Sequence, residues 1–157
     1  ITNKLCKKNN YNPYEISNFA KKNFECFHNL NYWKCGNFIS IGPGAHGRYA
    51  YDNSRFSYNN IKNPENWLES SLKNKNPIKK IKKLSKVEQL EELIIMGLRT
   101  NEGINLNYIK EGLRMNLNTE KIKYLKDFKF ISATNSNLKL LLKGKLVLNR
   151  IVQELLV

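Results

Sequence analysis

Three cysteines, four prolines, two histidines and thirteen acidic residues are all that this 157-residue chain holds of those types, and each scarcity excludes something. Cys6, Cys26 and Cys35 are odd in number and irregular in spacing, which argues against a disulfide framework and for a reducing compartment, with the cytoplasm as the expected location. No run approaches 18 apolar residues, because Lys, Asn or Glu interrupts every one, so a membrane-spanning helix is not expected. Nor is there a secretory leader pattern, a low-complexity tract or a repeat at solenoid period. The first residue is Ile1 rather than Met, and a fragment is the expectation.

Against the 13 acids stand 27 Lys and Arg, for a net charge of +14 and a pI near 9.7. Such a balance ordinarily points to nucleic acid or an anionic membrane. Here the surplus is nearly all Lys and arrives with many Asn and Ile, the trio that an A- and T-rich genome imposes on all its products. The charge is therefore discounted as a guide to function. A hydrophobic content of 41% with 11% aromatics supports a folded chain, long enough for one ordinary domain or two very small ones.

Composition shifts in the middle. Residues Tyr11 to Tyr58 are rich in aromatics, Gly and Asn, amphipathic helical patterns dominate from Pro64 onward, and the Lys-rich stretch Lys73 to Lys83 reads as a linker. Ile1 to Lys8 reads as the end of a helix, while the alternations Tyr14–Phe19 and Asn37–Ile41 read as strands. Asn63-Pro64-Glu65 opens a helix with a cap and an N-terminal proline, and Ser85-Lys86-Val87-Glu88 is a capping box for the next. Leu106, Ile109 and Leu113 mark a third helix, and Ile122, Leu125 and Phe128 a fourth. A β-hairpin follows over Phe130–Ser132 and Leu138–Leu142, and a closing helix carries Val147, Ile151 and Leu155. The order of helices, hairpin and helix is winged-helix-like.

Chemistry-bearing residues gather in the first third. His28 stands in His28-Asn29-Leu30-Asn31-Tyr32-Trp33; a neutral imidazole suits iron, and flanking Tyr and Trp suit a flat apolar macrocycle, yet a His beside aromatics also serves as a packing residue. Gly42-Pro43-Gly44-Ala45-His46-Gly47 is either a ligand-approaching turn or a plain connection. Cys26, His28 and Cys35 make three zinc-type ligands where a structural site wants four.

The segments Tyr14-Glu15-Ile16-Ser17-Asn18-Phe19-Ala20, Cys26-Phe27-His28-Asn29-Leu30-Asn31-Tyr32-Trp33 and Ile41-Gly42-Pro43-Gly44-Ala45-His46-Gly47, in this order and spacing, closely resemble the radical SAM heme chaperone (HemW) family, long labelled oxygen-independent coproporphyrinogen III oxidase-like. Met96-Gly97-Leu98-Arg99 with Glu102-Gly103-Ile104, and the ending Lys143 to Asn149, resemble its C-terminal domain. The resemblance covers nearly the whole chain. It implies an α/β fold in which residues 1–62 are the C-terminal edge of a partial TIM-like radical SAM barrel and residues 63–157 a helical, winged-helix-like domain. It also implies heme as ligand, with His28 as candidate iron ligand and Tyr32 or Trp33 packing on the macrocycle, and places Gly42, Pro43, Gly44, Ala45 and His46 on the cofactor side of the barrel.

In the complete parent the resemblance implies a [4Fe-4S] cluster and S-adenosylmethionine. The cluster motif of that family, CxxxCxxC, does not occur in these 157 residues, so this chain alone is expected to bind and transfer heme rather than catalyse. Heme-receiving proteins, including respiratory membrane enzymes, and a separate N-terminal radical SAM part are the implied partners. A piece of an oxygen-independent coproporphyrinogen III oxidase of porphyrin biosynthesis is the alternative. A basic winged-helix module on nucleic acid is a third reading, disfavoured because Lys is spread along the chain rather than gathered on one recognition helix, so no specific nucleic acid is expected.

Overall fold

The computed structural model describes residues 1–73 and 75–156 of a mixed α/β chain. The chain divides into two compact units, one of Ile1–Cys35 with Leu90–Val157 and one of Gly36–Gln89.

The first unit begins with α1 (Thr2–Lys8), β1 (Asn12–Pro13), β2 (Phe19–Ala20) and α2 (Phe27–Trp33). The alternation Tyr14–Phe19 does not make a strand. Instead β1 and β2 pair antiparallel, Asn12 opposite Ala20, around a loop folded about Glu15. The Glu15 carboxylate accepts from the Ser17 backbone N–H and hydroxyl, both at 2.7 Å, and from the Asn18 amide at 2.8 Å. Such local side-chain bonds compete with ladder pairing and win here.

In the second unit β3 (His46–Tyr51), β4 (Ser54–Asn60) and β5 (Ile78–Lys83) form an antiparallel sheet in that order, with α3 (Pro64–Leu72) between β4 and β5. Asp52 and Asn53, at φ 47° and 52°, form the two-residue turn between β3 and β4, a conformation that Asn and Asp tolerate and that matches strand twist. Tyr49 and Phe56 stack directly opposite each other at 5.1 Å. Gly47 faces Tyr58, and a Cβ at Gly47 would lie 2.0 Å from that ring. Tyr58 is thereby buried and its hydroxyl accepts from the Ser40 N–H at 2.8 Å.

Two expectations fail in this unit. The Lys73–Lys83 stretch is not a linker throughout: Ile78–Lys83 pairs with β4, Tyr58 opposite Ile81, while Asn74 lies outside the described residues. Its Ile-Lys-Lys-Ile pattern has no period of two because burial does not select its faces; Ile81 is half exposed and the ladder to β4 holds the strand. Asn37–Ile41 contributes only Phe38, which bridges to Arg48, and leaves Ile39 and Ile41 exposed.

Helix α4 (Lys86–Gly97) opens on the expected capping box, with Ser85 Oγ accepting from the Glu88 N–H at 3.2 Å and Glu88 accepting from the Ser85 N–H at 3.0 Å. A hydrogen bond from Lys82, helped by Ser85, holds the Glu88 carboxyl down at about 2. The helix then enters the first unit, where β6 (Ile104–Asn105), α5 (Thr119–Asp127), β7 (Ile131–Ala133), β8 (Asn137–Leu140), α6 (Leu142–Lys145) and α7 (Leu148–Leu156) follow. The strands are ordered β6-β8-β7 and antiparallel. The expected third helix is only a five-residue π-helical turn, Tyr108–Gly112, whose start is held by Asn105 Oδ1 accepting from the N–H groups of Asn107 and Tyr108. Arg114, at φ 55°, stops any continuation.

The core of this unit gathers Leu90 and Ile94 of α4 and Leu98 just past its end, at helical spacing, with Ile104, Ile109, Leu125, Ile131, Leu138, Ile151 and Leu155. Helix α5 is capped by Asn118, whose Oδ1 accepts from the Glu120 and Lys121 N–H groups at 2.9 and 3.1 Å. Asn118→Ala is expected to lower stability by about 1 kcal/mol and Asn118→Gly by only a few tenths, measured as the shift in urea midpoint.

Candidate functional site

The site residues read from the sequence fall in both units. His28, Tyr32 and Trp33 lie on α2 of the first unit, and Gly42 to His46 lie in the second.

On α2, His28 and Tyr32 share a face at i,i+4 spacing, their rings edge to face with centroids 4.8 Å apart. His28 is exposed, and the neighbouring Phe27 and Phe24 are 85% and 79% exposed, so an imidazole stands beside uncovered aromatic surface. Trp33 has a different setting. The Arg99 guanidinium lies over its ring at 4.5 Å, a cation–π contact, and the adjacent Lys34 pairs with Glu102 at 2.9 Å. The C-terminal end of α2 is thus tied to the segment that follows α4.

Arg99 also approaches Glu15, Nη2 to Oε2 at 3.5 Å. Glu15 is completely buried. Burial pushes its carboxyl upward, but the hydrogen bonds from Ser17 and Asn18 and the Arg99 charge outweigh it and hold the group below the usual carboxylate range. Around it the N-terminal segment is stitched to the end of α4: Glu15 bridges Thr100, the Asn101 N–H donates to Tyr14 O at 3.3 Å, and the Asn101 amide donates to Pro13 O. The Asn29 amide donates to the Tyr14 hydroxyl at 3.2 Å, which joins α2 to the same knot. Glu15 and Arg99 are not marked as site residues by the sequence; the one available signal is an acid closely followed by Ser17 and Asn18, whose donors it can accept from.

In the second unit the Gly42–His46 segment is a tight turn laced to the end of β4. The Asn60 amide donates to Gly42 O at 2.9 Å, the Asn60 N–H to Ala45 O at 2.9 Å, and the Gly44 N–H to Ile61 O at 2.8 Å. Gly42 and Gly44 hold φ of 108° and 69°, which other residues rarely adopt. His46 is exposed and opens β3 opposite Asn59.

No disulfide joins Cys6, Cys26 or Cys35. Among the described residues no three His, Cys, Asp or Glu side chains come together as a metal group, so Cys26, His28 and Cys35 do not converge. These residues do not fit an iron–sulfur cluster. No helix among the described residues is long and apolar enough to cross a membrane.

The fold matches, over 98% of this chain and 39% of the other, a solved structure described as the radical SAM enzyme coproporphyrinogen III oxidase (HemN) of Escherichia coli, with a TM-score of 0.68 at 12% identity. Residues 84–147 match the HemN C-terminal domain. The chain is 37% identical over 134 residues to the heme chaperone HemW of Buchnera aphidicola subsp. Schizaphis graminum, covering 80% of this chain and 35% of that protein. It is 34% identical over 170 residues to the mitochondrial radical S-adenosyl methionine domain-containing protein 1 of Dictyostelium discoideum, covering 93% of this chain and 38% of that one. The chain is thus similar to the C-terminal portion of HemW-like radical SAM proteins, and it spans less than two-fifths of the length of these relatives.

Proposed function

We propose that this chain is the heme-handling C-terminal portion of a radical SAM heme chaperone, which binds heme through His28 and passes it to heme-dependent proteins, respiratory membrane enzymes among them. The observation that carries the reading is the exposed His28 imidazole on α2, in a chain whose relatives include proteins named heme chaperone HemW. Bound heme supplies an iron centre open to axial ligation. His28 offers a ring nitrogen, Tyr32 and the exposed Phe27 offer apolar ring surface, and Trp33 has one face committed to Arg99. In this reading residues 1–62 are the edge of a radical SAM barrel, residues 63–157 are the winged-helix-like domain, and the Gly42–His46 turn lies on the cofactor side of the whole protein. The protein works in the cytoplasm, and the cluster and S-adenosylmethionine belong to a part of the parent that this chain does not supply.

The fold match to HemN favours a second reading, a piece of a coproporphyrinogen oxidase. Heme titration followed by Soret absorbance separates them. Saturable binding, weakened about tenfold or more in His28→Ala by loss of a charge-neutral iron ligand and unchanged in His46→Ala and Cys26→Ala, is the expected result. Equal binding in His28→Ala with a loss in either other variant reassigns the ligand, and no saturable binding in any of them ends the heme reading.

A further inference from the structure

A cavity of about 380 Å³ in the first unit is bordered by Ile16, Arg99, Lys145, Leu148 and Arg150, and it belongs to none of the residues assigned to heme. Its lining combines two chemistries. Ile16, Leu146, Val147 and Leu148 give apolar walls, while Arg99, Lys145 and Arg150 bring three cationic heads to one space. Among the described residues Glu15 stands beside Arg99, and Glu154 pairs with Arg150.

The donors of these cations are far from spent. Arg99 Nε is buried and has no hydrogen-bond partner among the described residues; the Nε1 of Trp33 under it and the Glu15 Oε2 beside it are in the same condition. Buried polar atoms left unpaired are uncommon and call for an explanation, an outside polar partner being one. Lys145 carries three donors and meets one neutral acceptor, Asn101 Oδ1. Burial lowers its proton affinity, offset in part by the Glu15 charge, so an arriving anion restores a counter-charge that the fold leaves short. The first turn of the nine-residue α7, Leu148 to Arg150, forms the far wall and adds the positive end of a helix.

We propose that this cavity binds a carboxylate carried on a short apolar chain, the head against Arg99 and Lys145 and the chain against Ile16, Val147 and Leu148. The volume lies at the lower end of the range used for small ligands, which suits a fatty-acid-like anion of roughly ten heavy atoms and is too little for a macrocycle. The site is independent of the heme reading and stands or falls without it.

Calorimetric titration with octanoate at low ionic strength tests it, with acetate and inorganic phosphate as comparisons. Octanoate is expected to bind saturably and about tenfold or more tighter than acetate, because only it covers the apolar wall. Lys145→Gln is expected to weaken octanoate by about tenfold, whereas Lys126→Gln, which removes the same charge from outside the cavity, leaves it unchanged. Leu146→Glu supplies a variant at an exposed position that folds whatever Lys145 contributes to stability, and it is expected to abolish binding by placing a like charge at the wall. Equal losses in Lys145→Gln and Lys126→Gln, phosphate binding tighter than octanoate, or no saturable octanoate binding in the wild type would each overturn the proposal.

Discussion

Glu15→Ala is expected to destabilise the first unit by about 3 kcal/mol, the cost of leaving a largely buried cation without its partner, and to do so without touching the second unit. The carboxylate is completely buried, accepts three hydrogen bonds on Oε1 and stands 3.5 Å from Arg99. Its removal leaves the Ser17 and Asn18 donors and the Arg99 guanidinium unpaired at once, and the Trp33 stack loses the anchor of its cation. Urea denaturation read through Trp33 fluorescence measures the loss. Glu15→Gln keeps an acceptor and most of the shape, so it is expected to fall between wild type and Glu15→Ala. The pH dependence has a definite sign: the folded carboxyl sits below its ordinary value, so its contribution is full above the unfolded value of about 4.3 and fades as pH falls through the lower folded value. The gap between wild type and Glu15→Gln is therefore expected to close on acidification below about pH 4. A gap that stays constant into strong acid would show that the charge contributes nothing.

A second large effect is expected from Gly103→Ala. Gly103 holds φ 78°, and a Cβ there would lie 2.2 Å from Leu138 O and 2.6 Å from Lys139 Cβ. Backbone cannot swing aside as a flexible side-chain end does, so β8 must separate from β6, where Ile104 pairs with Leu138 at the centre of the core. Strain and lost packing together are expected to cost roughly 3 kcal/mol. Gly42→Ala provides the comparison, since Gly42 has φ 108° but nothing within 4 Å of its Cβ position. It carries the conformational penalty alone, about 1 kcal/mol, so the difference between the two variants isolates the steric part. Similar melting temperatures for both would refute the close approach of Gly103 to β8.

Which of these features the sequence displays depends on whether local chemistry or distant pairing builds them. The caps at Asn63 and Ser85, the hairpin β7–β8 and helix α7 are local devices, and the residues that form them stand within a few positions of one another. The β3–β4 hairpin also carries a local signal, Asp52-Asn53 between aromatic-bearing segments. Strand β5 is different. Nothing in Ile78-Lys79-Lys80-Ile81-Lys82-Lys83 selects a buried face, and only its ladder to β4 makes it a strand. The same holds for the site: His28 with Tyr32 is a helical i,i+4 pair visible in one segment, whereas Glu15 and Arg99 meet across the length of the second unit and carry no mark of each other.

That meeting has a consequence for how the protein is made. Residues Pro13, Tyr14 and Glu15 leave the ribosome well before their partners Arg99, Thr100 and Asn101, which follow only after the whole intervening segment has been translated. At about 5–20 residues per second that delay is roughly 4 to 17 seconds. Throughout it the nascent N-terminal segment has an ionised carboxylate with no cation to meet and the aromatic side chains of α2 with no core to join. The segment between, by contrast, contains every strand of its own sheet and completes its ladder as it emerges. Synthesis thus completes the inserted unit before the unit that encloses it in sequence, leaving helix α2 among the final pieces to be fixed in place.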